Sequence, residues 1–349
     1  MENIRTIVID DSLIYRRLIA DAINRSGMAT VEAVASDGIE GLVLVDKYKP
    51  SVVFCDMFMP GLNGVQVLER IKQRHNLVNV VMISSVNQRY ADMTIEALEK
   101  GAVDFIRKPD SIDADKNAEQ LAFDIQKVLN AVKLRLLVPG VSFESAKAPA
   151  SMLHSYRGAF SVVVIGVSTG GPDALGRILS RMPADFTLPV VVVQHIPAGF
   201  TESLVKSLNS KSPLKVFEAL EGQDLNPGCV YISSGGRHLT VKRQFEKVLL
   251  SYNDDPPENS CRPSVDVLFR SAAQVYGNKG VLAVIMTGMG EDGLAGVREL
   301  KKGSVYCITQ SKETCVVYGM PKAIDDHGLS DERLELDQIA DRISILSRR

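Results

Sequence analysis

Short apolar runs alternate along this chain with stretches in which apolar residues recur every three or four positions. TIVID (6–10), SVVFCD (51–56), VVMISS (80–85) and VDFIRK (103–108) read as strands, and the segments between them read as helices. Leu13, Ile14, Leu18, Ile19, Ala22 and Ile23 share one helical face, and Gly27 supplies a C-terminal cap. Strands that run apolar throughout, separated by amphipathic helices, predict a parallel, doubly wound α/β sheet. A last helix is expected over about 117–137. Residues 138–158 then carry Pro, Ser, Ala and Gly without sustained periodicity and read as a linker. From 159 to 349 the alternation of strand and helix resumes, which predicts a second, mainly parallel α/β domain.

The length of 349 residues suits two such domains better than one core. A net charge of −2 gives no electrostatic reason to expect nucleic-acid binding. Cys55, Cys229, Cys261, Cys307 and Cys315 are odd in number and lack metal-type pair spacing, so reduced thiols in a cytoplasm are expected. No apolar run reaches the length of a membrane span, and direct membrane insertion is not expected.

In the first domain the polar residues that interrupt the apolar runs fall where strands should end: Asp10 and Asp11, Asp56, Ser84 and Lys108. Ligands of open parallel sheets bind beyond the carboxyl ends of the strands, so these side chains can converge. Three carboxylates at close quarters repel one another unless a hard cation such as Mg²⁺ neutralises them. A lysine and a hydroxyl beside them suit an incoming phosphoryl group. With these residues, with CDMFMPGLNG around Asp56 and with proline after Lys108, residues 1–137 resemble a two-component receiver domain. The resemblance implies a flavodoxin-like (βα)5 fold and Mg²⁺ held by Asp10, Asp11 and Asp56. It further implies Asp56 as phosphoacceptor for a histidine kinase, and Ser84, Phe105 and Lys108 as switch residues. A plain buried phenylalanine remains the other reading of Phe105.

The second domain opens with SVVVIGVSTGGP (161–172), a β-branched run that breaks at glycine and delivers Ser168 into a glycine-rich turn. The fragment from Gly166 to Gly170 fits the G-x-S-x-G elbow, in which small neighbours let a sharp strand-to-helix turn expose a nucleophile. A serine nucleophile requires a base and a group that orients it. His195 ends the apolar run PVVVVQH, whereas His238 follows Gly235-Gly236-Arg237 in an expected loop, where it could assist substrate binding. His195 is the better base. In GVLAVIMTGMGEDG (280–293), Asp292 is the candidate to orient it, with Glu291 directed elsewhere. Met289 N–H and Thr169 are the candidate oxyanion donors. The order serine, histidine, aspartate differs from that of the α/β-hydrolases.

Together with Gln194-His195, Arg262-Pro-Ser264-Val-Asp266, TGMGEDG and YGMP, this half resembles the chemotaxis protein-glutamate methylesterases. Receiver, linker and esterase follow one another in that family. The resemblance implies hydrolysis of glutamate γ-methyl esters on the cytoplasmic helices of chemoreceptors, with methanol released and receptor glutamine as a further substrate. It implies phosphorylation control, no cofactor in the esterase half and a cytoplasmic location. The competing reading is a non-catalytic, receiver-controlled nucleotide- or phosphate-binding or protein-interaction module, its glycine-rich turns cradling an anion at helix N-termini.

Overall fold

The computed structural model describes residues 3–85, 88–109, 113–136, 159–277 and 279–348. The chain divides into two compact units, Met1–Pro139 and Gly140–Arg349. The linker expected over 138–158 lies outside the described residues.

The first unit runs β1 (Ile4–Ile9), α1 (Leu13–Arg25), β2 (Ala29–Ala35), α2 (Gly38–Tyr48), β3 (Val52–Asp56), α3 (Gly64–Arg74), β4 (Asn79–Ser84), α4 (Gln88–Glu99), β5 (Asp104–Arg107) and α5 (Ala114–Leu136). Its five parallel strands pair in the order β2-β1-β3-β4-β5. Every residue of β3 and β4 is buried, which is why both read as continuous apolar runs. Helix α3 starts with a capping box between Asn63 and Gln66, and Gly64 lies so close to β3 that a Cβ there would stand 2.4 Å from the Asp56 carbonyl. Helix α5 begins three residues before the expected position. The Asp113 carboxylate, which accepts from Asp115 N and Lys116 N at 3.1 and 3.2 Å, captures the first turn.

The second unit runs β6 (Val162–Val167), α6 (Gly171–Arg181), β7 (Val190–Gln194), α7 (Thr201–Lys211), β8 (Lys215–Glu218), β9 (Cys229–Ile232), β10 (His238–Gln244), β11 (Lys247–Asn253), α8 (Val265–Tyr276), β12 (Lys279–Ile285), α9 (Leu294–Leu300), β13 (Ser304–Gln310), α10 (Met320–Asp326), β14 (Glu332–Leu334) and α11 (Leu336–Ser347). Seven parallel strands pair in the order β14-β13-β12-β6-β7-β9-β8. An antiparallel hairpin, β10-β11, lies outside that sheet. The chain moves from β6 to one side through β7, then returns to build β12, β13 and β14 on the other. The reversal at β6 opens a crevice beyond the carboxyl ends of β6, β7 and β12, where open α/β sheets take their ligands.

The core beneath that crevice comprises Val162 and Val164 of β6, Val191 and Val193 of β7, Ala283 and Ile285 of β12, and Leu268, Phe269 and Ala272 of α8. Helix α8 presses so closely on β6 that a Cβ at Gly166 would meet Val265 Cγ1 at 2.4 Å. The first glycine of the elbow is therefore a packing requirement.

Candidate active site and phosphoacceptor site

Strand β6 ends at Val167 and delivers Ser168 into a turn held from two sides. Ser168 N donates to the Thr287 carbonyl beyond β12 at 2.9 Å. Its own carbonyl accepts from Gly171 N at 2.8 Å and from Gln194 Nε2 at 3.0 Å. Gly170 has φ +78°, the left-handed conformation that lets the chain turn into α6. Gly288 leaves room for Ser168, since a Cβ there would stand 2.7 Å from Ser168 Cβ.

His195 follows β7, its backbone N donating to the Val167 carbonyl at 3.0 Å. Its Nε2 donates to Asp292 Oδ2 at 2.8 Å; the acceptor is a carboxylate, so this nitrogen carries the proton and Nδ1 is left as the basic nitrogen. Among the described residues no hydrogen bond joins Ser168 to the imidazole. Their apposition comes from adjacent, paired strands, with Val167 opposite Gln194 in the register of β6 and β7.

Asp292 is 2% exposed and fully solvated by protein. Beyond His195, Oδ2 accepts from Val265 N at 2.8 Å, while Oδ1 accepts from Ser264 Oγ at 2.8 Å, Asp266 N at 3.1 Å and Asn259 Nδ2 at 3.1 Å. The N-terminus of α8 thus points its first N–H groups at the carboxylate. Burial alone would raise the Asp292 pKa. The hydrogen bond and charge of His195, with the backbone donors, outweigh burial and hold it at about 2. Burial likewise works to lower His195, but the bonds to Asp292 and Cys261 prevail and push it up to about 9.

Asp266 forms the next layer. Its Oδ1 accepts from Gly293 N at 3.0 Å and Gly296 N at 2.6 Å, and its Oδ2 accepts from Asn259 Nδ2 at 2.9 Å. Burial raises its pKa to about 6 against the Gly296 bond. Thr287 ties the walls together: its Oγ1 donates to the Thr169 carbonyl at 2.9 Å and accepts from Val317 N at 3.0 Å. Among the described residues no backbone carbonyl accepts from Met289 N, which sits beside Gly288 and hence beside Ser168.

Ser168, His195 and Asp292 are therefore brought to one sheet edge, while Glu291 is exposed. His238 departs from expectation. It begins β10 rather than lying in a loop, is fully buried, accepts from Ser264 N through Nδ1 at 3.2 Å and donates from Nε2 to the Pro256 carbonyl at 3.1 Å. With both nitrogens engaged it braces the N-terminus of α8 instead of facing substrate. Cys261 is a second departure. Its Sγ lies 3.5 Å from His195 Nδ1, and His195, Cys261 and Asp292 group as a possible ligand set in a half for which none was expected. The two residues converge across 66 positions, which local spacing rules do not see. Ser264 and Asp266 stood out only as a motif, and Gln194 only as part of a dipeptide.

In the first unit Asp10, Asp56 and Lys108 meet at the ends of β1, β3 and β5. Lys108 Nζ lies 2.9 Å from both Asp10 Oδ2 and Asp56 Oδ2. Carboxylate oxygens of Asp10, Asp11 and Asp56 fall within 4.8 Å of one another. Asp10 is fully buried, and its Oδ2 has the Lys108 ammonium 2.9 Å away. Three converging carboxylates, an all-oxygen set, fit a hard divalent cation such as Mg²⁺. Burial raises the Asp56 pKa to about 6 although Lys108 opposes the shift. Burial also disfavours the Lys108 ammonium, but Asp56 and Asp10 keep its pKa above the ordinary value. Ser84 is buried; its Oγ donates to the Ser85 carbonyl at 3.2 Å and accepts from Thr94 Oγ1 of α4 at 2.9 Å. Phe105 is half-buried rather than sealed in the core. Tyr15, which sequence reasoning passed over, places its ring 4.7 Å from Lys108 Nζ and donates its hydroxyl to the Pro109 carbonyl at 3.0 Å.

Comparison with known proteins matches both halves of the chain. A family model for the CheB methylesterase matches residues 163–343, and one for the response regulator receiver domain matches residues 6–117. The chain belongs to the CheB methylesterase family. It is a carboxylic ester hydrolase joined to a receiver. A protein-glutamate methylesterase/protein-glutamine glutaminase of Desulfotalea psychrophila is 38% identical over 360 residues, covering 98% of each chain. One of Thermotoga maritima is 39% identical over 344 residues, covering 97% of each. The crystal structure of the Thermotoga maritima CheB methylesterase catalytic domain superposes with a TM-score of 0.52 at 43% identity, covering 54% of this chain and 99% of that one.

Proposed function

We propose that this chain hydrolyses glutamate γ-methyl esters on the cytoplasmic helices of chemoreceptors, releasing methanol, with Ser168, His195 and Asp292 as its catalytic residues. The observation that carries this reading is the His195 Nε2–Asp292 Oδ2 bond of 2.8 Å at the sheet edge where β6 presents Ser168. Ser168 Oγ attacks the ester carbonyl as its proton passes to His195 Nδ1, the nitrogen that Asp292 leaves basic. Met289 N–H and Thr169 stabilise the oxyanion. The imidazolium protonates departing methanol, then activates water to cleave the acyl-enzyme. The same attack on a glutamine carboxamide releases ammonia, and the relatives' glutaminase name supports that second substrate. An anion-binding module without catalysis does not account for the aligned base and carboxylate.

The receiver sets the rate of the esterase. Asp56 accepts a phosphoryl group from a chemotaxis histidine kinase, with Mg²⁺ held by Asp10, Asp11 and Asp56 and with Lys108, Ser84 and Phe105 reading the new charge. Residues 1–137 serve as receiver, 138–158 as linker and 159–349 as esterase. No described helix is long and apolar enough to cross a membrane, consistent with action in the cytoplasm on the receptors' cytoplasmic helices. The deciding experiment is methanol release from methylated receptor membranes by the wild-type chain and by Ser168→Ala. Equal release by the two would refute the assignment.

A further inference from the structure

We propose that the esterase site doubles as a binding site for a thiophilic divalent metal ion of the Zn²⁺ class, held by His195 Nδ1 and Cys261 Sγ, and that its occupancy blocks hydrolysis. The inhibitory half of this inference rests on the esterase reading above; the binding half does not.

Three features make the site. The His195 Nε2–H bond to Asp292 fixes the tautomer that presents the Nδ1 lone pair, the same carboxylate–histidine arrangement that orients imidazole ligands of zinc. The Nδ1–Sγ separation is 3.5 Å. A tetrahedral ion with Zn–S about 2.3 Å and Zn–N about 2.0–2.1 Å spans an N–S edge of about 3.6 Å, so both ligands already stand at coordination distance from a common centre. Cys261 is also held in place: its N donates to the Glu258 carbonyl at 2.9 Å and its carbonyl accepts from Glu258 N at 3.1 Å. Glu258 in turn is clamped by both terminal nitrogens of Arg270 at 2.6 and 2.5 Å.

Asp292 does not serve as the third ligand, because its two oxygens already accept from five donors. The remaining positions fall to water or to the Ser168 hydroxyl, giving an open site. Ligand softness separates this ion from the one in the receiver: sulfur and imidazole favour zinc-like metals, whereas the oxygens of Asp10, Asp11 and Asp56 favour Mg²⁺. Among the described residues no other cysteine sulfur is within hydrogen-bond distance of a histidine nitrogen. Binding breaks the Cys261 S–H bond and, where His195 is charged, its Nδ1–H bond as well, each proton leaving to solvent, and forms metal–sulfur and metal–nitrogen bonds. The metal then holds the lone pair that would accept the Ser168 proton.

The test uses the full chain, stripped of metal, in excess Mg²⁺, titrated with Co²⁺ as a coloured stand-in for Zn²⁺. One equivalent is expected to give a thiolate-to-cobalt charge-transfer band that Zn²⁺ abolishes. Cys261→Ser and Cys261→Ala should both lack the band, and Cys229→Ser and Cys315→Ser should keep it. No band in the wild type, or a band that survives both Cys261 variants, overturns the site. Zn²⁺ should also inhibit ester hydrolysis, with a half-inhibitory concentration at least tenfold higher for Cys261→Ser. Equal sensitivity of the two chains overturns the inhibition, and the cobalt spectrum reads binding whether or not the chain is an esterase.

Discussion

Asp292 Oδ2 accepts the His195 Nε2 proton at 2.8 Å, so Nδ1 is the only ring nitrogen able to take a proton from a nucleophile. Ser168→Ala should lower methanol release by on the order of 10³-fold or more, His195→Ala should match it, and Asp292→Asn should be severe but smaller. Circular dichroism should show each variant folded. His238→Ala should retain turnover, because both ring nitrogens of His238 are engaged by Ser264 N and the Pro256 carbonyl; if that variant were inactive and His195→Ala active, the base would be misassigned.

The raised pKa of His195 sets the pH dependence. The imidazolium cannot accept a proton, so kcat/KM should rise with pH and level off only near the His195 pKa of about 9. An unperturbed histidine would level off near about 6.5. A pH–rate profile for methanol release decides between them, and a limb near the ordinary value would show that Asp292 does not hold the charged form.

Ser264→Ala removes the 2.8 Å bond to Asp292 Oδ1 without replacing Ser168, His195 or Asp292. A hydrogen bond to a charged group contributes roughly 1.5–3 kcal/mol, so stability should fall by about that amount in denaturant titration. With the carboxylate less firmly held, kcat should drop by roughly tenfold. Unchanged values of both would mean that the N-terminus of α8 holds Asp292 unaided.

Gly288→Ala places a Cβ 2.7 Å from Ser168 Cβ and 2.4 Å from Met320 Sδ. The nucleophile must shift, and a displacement of about 1 Å can cost on the order of 10²-fold in kcat. Normal kinetics in a folded Gly288→Ala chain would mean that the turn yields freely.

For the receiver, a small acyl phosphate with Mg²⁺ should phosphorylate Asp56 and raise the esterase rate, while Asp56→Asn should remain at the resting rate. Chelation of Mg²⁺ should abolish the rise and spare basal hydrolysis, since the acidic oxygens lie in the receiver half. Activation of Asp56→Asn by the phosphodonor would rule out this residue as the acceptor.

Much of this protein is determined by sequence alone, because parallel strands buried on both faces must be apolar throughout. VVFCD, NVVMIS, VVVIGV and VVVVQ announce themselves for that reason, and the polar residue at or just after the end of each run marks the carboxyl edge of its sheet. The placement of Ser168, His195, Asp292, Asp56 and Lys108 at the carboxyl edges of the two sheets was legible on those grounds. The hairpin β10-β11 and the burial of His238 were not, since a half-exposed antiparallel pair leaves only weak alternation and a histidine's two nitrogens find partners through space. Tertiary structure alone decided what surrounds the triad. Ser264, Asn259 and Asp266 reach Asp292 from a helix start some thirty residues away, and Cys261 reaches His195 across 66. Such convergence follows from how α8 packs against β6, a property of side-chain volumes in the folded core that no local pattern encodes.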